Sequence, residues 1–157
     1  MRPSYLSESH INLESVQRYS LEQIEVDGYI PDLFIHLEET YPFRTAGLLD
    51  GMIDRLLQDG FDSVIAARRE PGFLWQEKPD GSYTQLDSGD IPRQYKEKTF
   101  VGIHGLGVVT HPEFIRNKQL VGNKVGLYKI DNPLLASFEV RDKTSIDIAS
   151  KLLLRSS

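Results

Sequence analysis

The chain has 157 residues, of which 26 % are charged and 39 % hydrophobic, and its net charge is −5. That is one domain's length with a real core. The acidic balance argues against a nucleic-acid polymer as partner, because phosphate-reading surfaces are basic. The absence of cysteine excludes disulfides, thiolate metal sites and a cysteine nucleophile. No apolar run approaches the roughly 18 residues of a membrane span, and the polar start MRPSYLSESH lacks a signal-peptide core. The expectation is a cytoplasmic protein without a membrane partner.

Residues 12 to 26, NLESVQRYSLEQIEV, predict a helix capped by Asn12, with Leu13, Val16, Leu21 and Ile24 on one face and Asp27-Gly28 as its stop. Asp32 to Leu37 reads as a short strand, apolar on both faces, which suggests a buried parallel position. Thr45 is placed to cap a helix over 46 to 59. Leu48, Leu49, Met52, Ile53, Leu56 and Leu57 fill its apolar half, and Gly60 ends it. Residues 62 to 68 predict the next strand, so the order is strand, helix, strand and the class is α/β. FLWQEKPDGSYTQL reads as two strands around a Pro-Asp-Gly turn. Residues 99 to 110 predict a glycine-rich strand with a bulge or bend, and HPEFIRN a helical turn. Strands are expected at 124 to 130 and 136 to 140, and a closing helix at 146 to 154.

Ligands of open α/β sheets bind beyond the carboxyl ends of the strands. Three segments follow such ends: LEETYPFRT at 37 to 45, ARRE at 67 to 70, and DKTSID at 142 to 147. If they converge, Glu38, Glu39, Arg44, Arg68, Arg69 and Asp147 share one rim. Carboxylates there would suit Mg²⁺, and arginines such as Arg68 would clamp a carboxylate or phosphate. Plain alternatives stand beside each role. Glu38 and Glu39 also fit a solvated loop, Arg44 a pair with Asp50, and Arg68-Arg69-Glu70 a solvated strand end. Asp147 or Ser145 would serve as a helix cap, and Arg93, Lys96 and Lys98 as a surface strand. Trp75 is expected to pack in the core or across a subunit contact. The four histidines lack metal-ligand spacing, and no phosphate-loop, dinucleotide or nucleophile-elbow motif is present.

The order of segments resembles the cytidylyltransferases that activate acidic sugars, the acylneuraminate (CMP-sialic acid synthetase) family. That family's LQPTSPLRT loop is matched by LEETYPFRT, and its SVVSV strand by SVIAA. A Trp-containing hairpin follows, then Arg93-Gln94 before a glycine-containing strand. The closing SIDID motif is matched by SIDIA. The matching run extends from Leu37 to Ile148.

The resemblance implies a Rossmann-like, glycosyltransferase-A-type mixed sheet with a β-hairpin insertion at about 73 to 98, one partial domain over 1 to 157. It implies CMP transfer from CTP to a sialic-acid-like sugar acid, with pyrophosphate release, Mg²⁺ as cofactor and a homodimer as the assembly. Asp147 matches the first metal-binding aspartate, and Arg44 and Thr40 match the loop near sugar and nucleotide. Glu38 matches a glutamine that faces the sugar, and Arg93 and Gln94 match the pair near the sugar acid.

Four departures accompany it. The second aspartate of SIDID is Ala149, and the family's Asn-Gly is His104-Gly105. Glu38 puts negative charge where an acidic sugar should approach, unless it is protonated, paired or turned away. The family's first strand and its nucleotide loop have no match here, so the chain resembles the family's C-terminal two thirds. The strand at 32 to 37 would then carry an open edge. A non-catalytic sugar-binding or assembly module is the alternative reading, and a neutral-sugar or other nucleotidyltransferase a third.

Overall fold

A computed structural model describes residues 3–8, 11–87, 89, 91, 92 and 94–154. A 3-10 turn, Ser4–Ser7, leads into helix α1, Leu13–Val26. Asn12 caps α1 by accepting a hydrogen bond from the Ser15 amide (3.1 Å). Asp27 and the left-handed Gly28 end it, as the sequence predicts. The buried face is rotated from the predicted one. Gln17 and Leu21 are buried, while Leu13 and Ile24 are 48 % and 44 % exposed. α1 packs on the short helix α3, Pro112–Arg116. Gln17 reaches the sheet, its Nε2 lying 2.9 Å from Nδ1 of His36.

The central strand of the sheet is β2, Ser63–Glu70. Its first five residues are buried, which is why SVIAA carries no charge. Strand β7, Val125–Lys129, pairs with it in parallel on one edge. The other edge is shared by β5, Thr99–Gly102, and β6, Val108–Thr110, both antiparallel. The predicted bend lies between them. Ala66 alone faces the looped-out residues, accepting from Ile103 (2.7 Å) and donating to Gly107 (3.0 Å). The β3–β4 hairpin, Trp75–Glu77 and Tyr83–Gln85, forms around the predicted turn, with Gly81 left-handed. Trp75 stands 58 % exposed on it and is not a core residue.

Helix α2, Leu48–Asp59, covers one face of the sheet. Leu48, Met52 and Leu56 bury against Val64, Ala66 and Val109, whereas Leu57 lies outside the contact and is 61 % exposed. The helix starts at Gly47 rather than at a Thr45 cap, and Thr45 contributes a backbone carbonyl to Leu48 instead. Gly51 lets the Tyr128 ring pack where a Cβ would sit. Ser63 and Thr110 are buried polar residues that satisfy each other, Oγ to Oγ1 at 2.7 Å.

Two expected strands need correction. Strand β1 is Phe34–His36, and it pairs antiparallel with β6 at the sheet edge rather than in a buried parallel position. β6 inserts between β1 and β2, so the two strands run in the same direction without touching. Residues 136 to 140 form no strand. Helix α4, Pro133–Ala136, occupies their start, and Val140 then donates to the Thr40 carbonyl (2.8 Å). The last helix, α5, is Lys143–Leu153. Asp142 caps it through a reciprocal box with Ser145, so neither Asp147 nor Ser145 is the cap.

Candidate active site

A cleft of about 520 Å³ opens at the carboxyl ends of β1 and β2. Glu38, Tyr41, Arg68, His104, Glu139 and Arg141 line it. Two of the three expected segments meet there, the loop after β1 and the end of β2. The third contribution comes from Ser137, Glu139 and Arg141, which follow no strand, and none of residues 142 to 147 lines the cleft.

Arg44 holds the floor of this cleft together. Its Nε donates to the Leu106 carbonyl (2.9 Å), and an NH2 donates to the carbonyls of Glu38 (3.1 Å) and Gly105 (3.3 Å). The Glu38 amide donates in return to the Gly105 carbonyl (2.8 Å). These bonds bind the loop after β1 to the bulge between β5 and β6. Gly105 is required at this junction. A Cβ there would lie 2.5 Å from the Tyr41 ring and 2.7 Å from the Glu38 carboxylate.

The Glu38 carboxylate is partnered. Its Oε1 lies 3.6 Å from Nε2 of the buried His36, and its Oε2 accepts from Thr40 (3.5 Å). Tyr41 carries a raised pKa, first because it is partly buried, then because the Glu139 carboxylate lies close and accepts a hydrogen bond from its hydroxyl. Arg141 pairs with Glu139 (2.8 Å), and Arg68 pairs with Glu70 (2.8 Å). Glu139 thus bridges a phenol and a guanidinium, while Glu70 sets the fork of Arg68. The cleft offers two guanidiniums for an anion and two carboxylates, Glu38 and Glu139, for a hydroxyl or amine.

The residues proposed from sequence separate into groups. Glu38 and Arg68 line the cleft, and Thr40 supports Glu38. Arg44 lies beneath it, with its donors spent on backbone. Glu39 is exposed outside the lining, and Arg69 points to another depression. Gln94 lies in that depression with Lys96 and Lys98, and Arg93 falls outside the described residues. Asp147 is exposed on α5 and is not part of the cleft wall. Tyr41, Glu139 and Arg141 were not singled out by sequence. Tyr41 stood in view inside LEETYPFRT, but Glu139 belongs to a stretch, 136 to 140, whose pattern resembled a strand, and Arg141 directly follows it.

No group of three histidine, aspartate or glutamate side chains among the described residues could hold a metal ion. Asp147 is a single donor, and Ala149 next to it is buried and supplies none.

The mixed sheet, its covering helix and the cleft at the strand ends make up a nucleotidyltransferase-like α/β fold. Among solved structures of that fold is 4-diphosphocytidyl-2C-methyl-D-erythritol synthase from Anaerococcus prevotii DSM 20548, with a TM-score of 0.60 and 14 % sequence identity. The match covers 85 % of this chain and 64 % of that one. Neither a known family profile nor a curated protein matches the sequence. Among the described residues no helix is long and apolar enough to cross a membrane.

Proposed function

We propose that this chain is a cytidylyltransferase-type protein whose cleft receives an acidic sugar for CMP transfer. The observation that carries the reading is the meeting of Arg68 and Arg141 with Glu38 and Tyr41 at the strand ends of a nucleotidyltransferase-like fold. The solved neighbour, whose name describes a diphosphocytidyl product, supports the cytidylyl part at the level of fold. The sugar acid rests on the resemblance of LEETYPFRT and SIDIA to the acylneuraminate enzymes.

In this reading the guanidiniums of Arg68 and Arg141 clamp the sugar carboxylate. The anomeric hydroxyl oxygen then attacks the α-phosphorus of CTP, the bond to the bridging oxygen breaks, and pyrophosphate leaves. Glu38 accepts the hydroxyl proton, with His36 behind it at 3.6 Å. Mg²⁺ enters as the counter-ion of CTP, with Asp147 the donor that the resemblance names. Arg44 and Thr40 position the loop, and the family's pair places Arg93 and Gln94 near the sugar acid. A cytoplasmic homodimer is the assembly that goes with this reading.

The test is pyrophosphate release from Mg·CTP with a panel of sugar acids, on protein that melts cooperatively. Release is expected, and Arg68→Gln or Arg141→Gln should each raise the sugar KM about tenfold, the loss of one charge-assisted bond. A folded protein that binds no CTP overturns the reading. Ala149 in place of an aspartate favours one alternative, a sugar-acid-binding module without turnover. Saturable sugar-acid binding with no pyrophosphate release would select it.

A further inference from the structure

Successive side chains of a strand point to opposite faces, so Arg68 and its neighbour Arg69 serve different surfaces. Arg68 belongs to the cleft. Arg69 opens onto a separate cavity of about 290 Å³, whose rim also carries Lys98 and Lys129. Its floor is apolar: Ala67, Phe100, Ile130 and Pro133. A second depression, with Gln94 and Lys96, adjoins it through Arg69 and Lys98.

The three rim cations converge on one cavity. Arg18, Arg55, Arg68, Lys96, Arg116 and Arg141 each pair with a carboxylate. Arg69, Lys98 and Lys129 have no carboxylate partner among the described residues. Lys129 instead lies 5.5 Å from the centre of the Phe100 ring. Three cations around one hollow make its potential positive, which favours an anion there. Their chemistry selects a phosphate, which accepts several donors at once. The apolar floor selects a ring attached to it, because Phe100, Ile130 and Pro133 offer no hydrogen bonds.

We infer that this cavity is a second ligand site, independent of the cleft, for a small phosphomonoester carrying a planar or apolar body. The phosphate sits among Arg69, Lys98 and Lys129, and the ring rests on Phe100 and Pro133. Calorimetric titration of the full chain with phenyl phosphate tests this, with inorganic phosphate and phenol as separate probes.

Saturable binding of phenyl phosphate is expected, tighter than either probe and weakened by salt. Arg69→Gln should weaken it about tenfold, as loss of one charge-assisted contact does. Arg68→Gln, on the opposite face of the same strand, should leave it unchanged. Both variants are first shown to melt cooperatively. Absence of binding, equal loss in both variants, or loss confined to Arg68→Gln overturns the inference. The cleft reading is tested by Arg68→Gln in pyrophosphate release, so the two can fail separately.

Discussion

Gly105 and Arg44 illustrate how single residues set the cleft. Arg44 reads from sequence as a substrate contact, because it ends a loop that resembles a sugar-binding one. In the fold its guanidinium donates to three backbone carbonyls, so its role is to hold two loops at one distance. Gly105 looks like an ordinary member of a glycine-rich strand. Its need is steric: the Tyr41 ring and the Glu38 carboxylate occupy the space a side chain would take. Gly105→Ala is therefore expected to displace both and to destabilise the fold by about 1–3 kcal/mol, the usual cost of overpacking. Urea denaturation measures the loss, and sugar-acid affinity should fall with it. An alanine variant with wild-type stability and affinity would contradict the close packing.

At the scale of elements, the β3–β4 hairpin depends on one carboxylate. Asp87 accepts hydrogen bonds from the amides of Leu74 (2.6 Å) and Gly89 (2.9 Å) and from the Gln85 side chain (2.8 Å). Lys96 lies 3.4 Å away and stacks over Phe73. These partners, the Leu74 amide above all, hold the Asp87 carboxyl down at about 2. A folded pKa below the unfolded value of about 4 contributes stability that is complete above that pH. It is lost as pH falls from about 4 through about 2. Trp75, the single tryptophan, lies in β3 and reports on the hairpin. Its fluorescence should change in that acid window, and Asp87→Asn should remove the change and leave the hairpin loosened at neutral pH. A pH-independent signal in the wild type would show that Asp87 does not organise the hairpin.

At the scale of the whole molecule, the position of β1 matters most. It lies at the sheet edge with β6 as its one strand partner among the described residues, and Ile35 and Leu37 are 37 % and 40 % exposed. Edge strands with apolar side chains invite pairing with another chain, and a lysine on the edge discourages it. Sedimentation velocity should show concentration-dependent association, reduced in Ile35→Lys. Equal sedimentation of both proteins would place any assembly elsewhere.

Much of this was legible in the sequence because it rests on local physics. Asn12 announced a cap, Gly60 a stop and Pro79-Asp80-Gly81 a hairpin turn, since each depends only on nearby backbone groups. The α/β class followed from the apolar periods of α2 and β2. The sequence also offered the meeting of the loop after β1 with Arg68 as a condition on strand direction, since ligands of such sheets bind beyond the carboxyl ends. Tertiary structure alone decided that β6 separates β1 from β2, since strand order depends on pairings between residues far apart in the chain. It alone decided which face each arginine serves. A one-residue step along β2 divides Arg68 from Arg69, and only the packing of α2 on one face determines what each side chain meets.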